Sequence, residues 1–234
     1  MTFMLQHIEV DQGKFIRAKI SITAVADSPT AIILPGNPVG DGSVASLAEM
    51  LIDHGFACCL PSSKVDVQDT KKRPSRDINR ASNSWKLDEL DHAMRYMRST
   101  PGSNGKVAVI GFGHGGQQAY LAACRLKPEA TIIYHGTSID DFLEEGRHID
   151  CETVFHVGND DPYMTDEVDR KIHAALIGKF NIAIYKYHAG DAFTNEDDPV
   201  NYVQESALLA HKRTLDVLCQ LKNVSKNNER GIAP

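Results

Sequence analysis

The segment Val107-Ala108-Val109-Ile110-Gly111-Phe112-Gly113-His114-Gly115-Gly116 constrains the fold more than any other part of the chain. A short apolar run reads as a buried strand, and the glycine cluster directly after it marks a tight turn. The residues from Gln117 to Leu126 then favour a helix. Strand, glycine turn and helix in that order fit two chemistries. Read as G-x-G-x-x-G over Gly111, Gly113 and Gly116, the turn is a dinucleotide-binding fingerprint. Read as G-x-nucleophile-x-G, it is a hydrolase elbow with residue 113 in the nucleophile's place. That residue is glycine, which has no side chain to react.

The flanking pattern sets the architecture. Residues 3–10 and 14–24 alternate as a half-buried hairpin does, turning at Asp11-Gln12-Gly13. Ala31-Ile32-Ile33-Leu34 is a short apolar strand closed by the breakers Pro35-Gly36-Asn37-Pro38. Ser43 is placed to cap a helix running to about Asp53, with Val44, Leu47, Ala48 and Leu51 on one face. The next strand opens at Gly55-Phe56 and stops at Pro61, and residues 62–83 are polar and irregular. Trp85, Leu90, Met94 and Met97 recur at helical spacing, as a core-facing stripe does. Further strands are expected at 107–110, 131–134, 153–157 and 181–185, with helices at 117–126, 166–176 and 206–221. Such alternation builds an α/β fold, a mostly parallel sheet with helices on both faces, entered here through an antiparallel hairpin. Ligands bind beyond the carboxyl ends of such strands. The loops that fall there are Pro35–Gly40, Gly111–Gly116, Gly158–Thr165 and His188–Asn195.

A chain of 234 residues fits one such domain, over residues 1–222, followed by a polar tail at 223–234. Its formal net charge of −6 and lack of a basic stripe argue against nucleic acid as a partner. The basic cluster Lys71-Lys72-Arg73 with Arg76 and Arg80 reads as a solvated face. No apolar run approaches the length of a membrane span, and no leader is expected ahead of the first strand. The five cysteines are odd in number and lack metal-type spacing, so buried thiols in the cytoplasm are expected.

The dinucleotide reading asks for a carboxylate about 20 residues on, at the end of the next strand. That strand ends Ile132-Ile133-Tyr134-His135-Gly136, with no acid until Asp140. The hydrolase reading gathers support along the chain. Val107–Cys124 resembles the elbow of the dienelactone hydrolase family, where G-[FY]-C-x-G-G precedes a helix. Val157-Gly158-Asn159-Asp160-Asp161-Pro162 resembles that family's acid loop. Tyr187-His188-Ala189-Gly190-Asp191-Ala192-Phe193 resembles its histidine loop, and Ala31–Gly40 its first strand and oxyanion loop. The resemblance spans nearly the whole chain in order and implies an α/β-hydrolase fold.

Within that resemblance only the triad acid, Asp161, is kept. The nucleophile position holds Gly113, the histidine position Asp191, and Gly36 or Asn37 stands where the family has an acid in its oxyanion loop. Two coordinated losses point to a repurposed site. The oxyanion donors would be the backbone N–H of His114 and one from Gly36 or Asn37, with the His114 ring, Asp161 and Asp191 as the remaining acid–base groups. The expected function is binding of a small molecule, or non-covalent chemistry on it, by a pseudoenzyme with a degenerate triad. The alternative is a hydrolase, lyase or cyclase with altered chemistry through His114 and Asp161. No cofactor and no metal are expected. The chain is expected to be a monomer or homodimer.

Overall fold

The pleat of one strand shows how the layers form. In β5 (Ser103–Phe112), Val107 and Val109 join one buried cluster, while Ala108, Ile110 and Phe112 join the other. A strand covered on both faces needs this two-sided apolar sequence. The structure, a computed structural model, describes residues 3–11, 14–22, 25–36, 42–61 and 87–222. The other strands are β1 (Met4–Asp11), β2 (Lys14–Ser21), β3 (Ser28–Leu34), β4 (Ala57–Pro61), β6 (Ala130–Tyr134), β7 (Glu152–Gly158) and β8 (Ile182–Tyr187). All eight form one sheet in the order β1-β2-β4-β3-β5-β6-β7-β8. The first two pair antiparallel, as expected of the hairpin, and β2 meets β4 antiparallel. From β4 to β8 every pairing is parallel.

The helices are α1 (Gly42–Asp53), α2 (Leu87–Ser99), α3 (His114–Arg125), α4 (Asp166–Leu176) and α5 (Gln204–Leu218). Buried residues of α2, α3 and α4 join one cluster; those of α1 and α5 join the other. The stripe Leu90, Met94 and Met97 is core, while Trp85 and residues 62–83 lie outside the described residues, as does the tail at 223–234. Several boundaries differ from expectation; β3 begins at Ser28, β5 at Ser103 and α5 at Gln204. Helix α3 begins at His114, because the glycine turn is itself the helix entrance. Ser43 lies inside α1 rather than capping it; the N–H of Gly42 is received by Asn195 Oδ1 at 3.1 Å, from a loop 153 residues away. The sequence reading also lacked the 3-10 turns of Ile139–His148. Among the described residues, no helix is long and apolar enough to cross a membrane.

Candidate active site

The centre of the carboxyl edge is the turn between β5 and α3. Gly113 has φ 50° and ψ −114°, a conformation an L side chain rarely adopts. Its backbone is held on both sides: the N–H donates to Tyr134 O at 2.9 Å, and the carbonyl accepts from Gly116 N at 3.0 Å and Thr137 N at 3.2 Å. The neighbouring glycines answer to crowding. A Cβ on Gly111 would run into the Gly115 carbonyl, and one on Gly115 into the Leu34 carbonyl. Gly36 presses onto the same turn, where a Cβ would stand 2.8 Å from Phe112 O. At Gly113 itself a Cβ would meet only the Gly36 Cα, at an ordinary 3.5 Å. The turn therefore has the space of an elbow that carries a side chain, without the side chain.

Two further loops close on each other beside it. Asn159 N donates to Tyr187 O at 2.8 Å and Asp160 N to Ala189 O at 3.0 Å, zipping the loop after β7 to the loop after β8. Gly158 permits this, since a Cβ there would strike the Ala189 and Gly190 carbonyls. Asp161 is 4% exposed, and its Oδ1 accepts the Tyr163 N–H at 2.8 Å. Asp191 and His114 are half-buried and His188 is exposed. The elbow strand and the acid's strand are two apart in the sheet, roughly 10 Å at the usual strand spacing. Asn37 lies outside the described residues.

Strain concentrates at this edge. His135 (φ 45°), Ser138 (φ 55°) and Ala192 (φ 55°) are non-glycine residues in the left-handed region, two just after β6 and one directly after Asp191. Each such residue costs on the order of 1–3 kcal/mol and persists only where its surroundings fix it. The surroundings here are polar and buried. Thr194 Oγ1 donates to Ser43 Oγ at 3.0 Å and so accepts from His135 Nε2 at 3.0 Å, tying the Asp191 loop to α1 and β6. Phe193 fills the space between the His135 and Tyr187 rings, at 4.8 and 4.9 Å.

Under the loop, His156 on β7 bonds Tyr187 Oη at 2.7 Å and Thr214 Oγ1 at 2.9 Å. Tyr134 Oη bonds Thr214 Oγ1 at 2.6 Å and His211 Nδ1 at 3.0 Å. Burial pushes His135 down to about 3 and His211 down to about 4, and holds His156 well below its ordinary value. All three rings are therefore neutral near pH 7. Sequence reasoning missed this layer. Its one local signal is His156 in the apolar strand Thr153-Val154-Phe155-His156-Val157. The cysteines are unpaired, with Cys58, Cys59, Cys124 and Cys151 buried. Burial raises the Cys59 and Cys124 thiols to about 12, so neither supplies a thiolate near neutrality.

Strand order, elbow and acid loop together define an α/β-hydrolase. More narrowly, the chain belongs to the dienelactone hydrolase family, whose sequence profile matches residues 28–222. It is 27% identical over 195 residues to carboxymethylenebutenolidase 1 of Cupriavidus pinatubonensis, covering 78% of this chain and 82% of that one. It is 25% identical over 232 residues to a carboxymethylenebutenolidase of Pseudomonas putida, covering 92% and 96%. In fold it is similar to a putative dienelactone hydrolase from Klebsiella pneumoniae, with a TM-score of 0.77 and 18% identity over 94% of this chain and 100% of that one.

Proposed function

We propose that this family member binds a small carbonyl-containing molecule at the elbow and does not hydrolyse it through a covalent intermediate. The observation that carries this reading is Gly113: an elbow conformation, with room for a side chain, at a residue that has none. Covalent acyl transfer needs an activated nucleophile and a base within hydrogen-bond reach. Asp191, in the histidine's place, is a poor base near neutrality. The reference pKa values of Asp and His differ by about 2.6 units, roughly 3.5 kcal/mol of proton affinity. What remains is recognition by backbone donors at the start of α3 and in the Gly36 loop. The relatives' name makes a small unsaturated lactone, or its ring-opened acid, the first ligand class to test.

A thermal-shift screen with lactones, esters, carboxylic acids and nicotinamide cofactors tests the reading. Lactones or acids are expected to raise the melting temperature; a rise with NAD or NADP alone would replace this reading with the dinucleotide one. A fluorophosphonate probe, read by peptide mass, is expected to leave residues 111–116 unlabelled.

A second reading, a non-covalent hydrolase, lyase or cyclase, draws on the burial of Asp161 and the strain kept at His135, Ser138 and Ala192. Here His114 or Asp161 would move the proton. Turnover of a lactone by the parent protein, lost in His114→Ala and not restored by adding Gly113→Ser, would favour this reading. We also place the protein in the cytoplasm, where five unpaired cysteines stay reduced, as a monomer or homodimer.

A further inference from the structure

The polar layer between the sheet and α5 has an internal direction. Arg213 lies over the Tyr185 ring at 4.1 Å and the Tyr187 ring at 5.3 Å. Arg213 also donates a hydrogen bond to the Tyr187 hydroxyl, so that oxygen accepts from the guanidinium and its O–H turns away, toward His156 Nδ1. His156 Nδ1 then accepts, so its proton sits on Nε2 and is donated to Thr214 Oγ1. Thr214 has hydrogen bonds to His156 and Tyr134. Having accepted from His156, it donates to Tyr134 Oη. Tyr134 in turn donates to His211 Nδ1, which leaves the His211 proton on Nε2. Each of the four links then holds one proton, with all five groups neutral.

We infer that Tyr187, His156, Thr214, Tyr134 and His211 form one hydrogen-bond chain of fixed direction, and that acid breaks it as a unit, releasing α5 together with the loop that carries Asp191. The loop is coupled to the chain because Phe193 packs against the Tyr187 ring and Thr194 against His135, the residue after Tyr134. The charged and titratable groups that face the chain come from each packed element. They are Tyr134 from β6 and His135 directly after it, Tyr185 and Tyr187 from β8, Arg213 from α5, and Glu196 from the loop. Glu196 favours a proton on His211, whereas Arg213 disfavours one on His156, so protons enter at the His211 end.

A proton arriving on His211 Nδ1 makes that nitrogen a donor to Tyr134. Tyr134 then donates to Thr214, and the displaced Thr214 O–H has His156 Nε2 as its one other partner in the chain. That bond forms only if His156 moves its own proton to Nδ1, aimed at Tyr187. The Tyr187 O–H would then turn toward Arg213, a donor facing a cation. The reversal stops there: Thr214 accepts from both Tyr134 and His156, and its own O–H is left buried without a partner in the chain. An unmet donor at Thr214 weakens the seam where α5 meets the sheet at His156 and Tyr134.

Long-range proton–nitrogen NMR on the ¹⁵N-labelled protein reads the tautomers directly. Both His156 and His211 are expected as Nε2–H at pH 7; an Nδ1–H form of either ring overturns the inference. Amide exchange as pH falls from 7 to 4 is expected to show residues 188–203 and 204–218 losing protection at one shared midpoint. Separate midpoints would also overturn it. Thr214→Val cuts the central link and is expected to raise the His211 titration midpoint by at least one pH unit; no change refutes the coupling. If that variant does not fold, Arg213→Met serves instead. Removing the cation is expected to give His156 in mixed tautomers, and an unchanged Nε2–H form would refute the assigned origin of the direction. None of these measurements involves a ligand, so they stand or fall separately from the binding proposal.

Discussion

The elbow and the polar layer meet at Tyr134, and they satisfy buried polar groups in opposite ways. At the elbow the backbone serves itself. Gly113 donates to the Tyr134 carbonyl and accepts from Gly116 and Thr137, and neighbouring residues lack side chains because chains approach too closely to admit them. In the polar layer, the Tyr134 hydroxyl reaches Thr214 and His211 through side chains that come from distant parts of the chain. The difference teaches that the elbow's shape and its chemistry are separable. Shape depends on Gly111 and Gly115, where a Cβ collides with backbone. Chemistry would depend on residue 113, where a Cβ fits. A nucleophile can thus be absent while the turn around its place persists.

The strongest way to break this comparison is Gly111→Ala. Its methyl would enter the Gly115 carbonyl, which belongs to the first turn of α3 and cannot move alone. The expected cost is on the order of 5 kcal/mol, comparable to the whole stability of many domains. Little soluble protein should be recovered, and a folded variant melting within a few degrees of the parent would show that the crowding is not rigid. Acid comes next and acts on the other region. The folded pKa values of His135 and His211, about 3 and about 4, lie below the unfolded value of ~6.5. The unfolded chain therefore binds more protons as pH falls below ~6.5, and stability falls with it until each folded pKa is reached. At pH 5 each ring should have removed about 2 kcal/mol, with His156 acting in the same direction. Denaturant melts at pH 7, 6 and 5 measure this; a flat profile would mean that the rings are already solvated.

The sheet and the elbow were legible in the sequence because local pattern sets both. Apolar runs such as Val107–Ile110 mark buried strands, and a glycine cluster between strand and helix has few other uses. Asp161 and Asp191 were found through loops that resemble a family's, and the two loops prove to be zipped together through Asn159, Asp160 and Gly158. The polar layer left almost no local trace. Tyr134 and His211 are 77 residues apart, and His156 and Thr214 are 58 apart, so neither pairing has a sequence signature. The cap of α1 fails for the same reason. Ser43 has the right residue type beside the helix start, yet the acceptor used is Asn195, which only the tertiary fold brings near.

Smaller effects sharpen the comparison. Gly113→Ala makes only an ordinary contact with the Gly36 Cα, so its cost is the positive-φ backbone alone, on the order of 1–3 kcal/mol. At about 2–4 °C per kcal/mol for a chain of this size, the melting temperature should drop by several degrees. Gly113→Cys should behave alike, and an unchanged or higher value for either would mean that the turn relaxes.

The smallest expected effect tests the seam between α1 and the Asp191 loop. Asn195 Oδ1 accepts from Gly42 N and from Asp197 N, both at 3.1 Å, so one carbonyl oxygen orders the helix start and its own loop. Asn195→Ala removes both bonds, and loss of a capping acceptor costs about 1 kcal/mol, or roughly 2–4 °C here. Asn195→Asp keeps the acceptor and adds a charge that a helix N-terminus favours. It also brings that charge close to Asp197, whose carboxylate already stands against Gly42. The two effects oppose each other, so the aspartate variant should fall between parent and alanine. If it melts at or below the alanine variant, repulsion from Asp197 outweighs capping, and the acidic loop, not the cap, sets the stability of this seam.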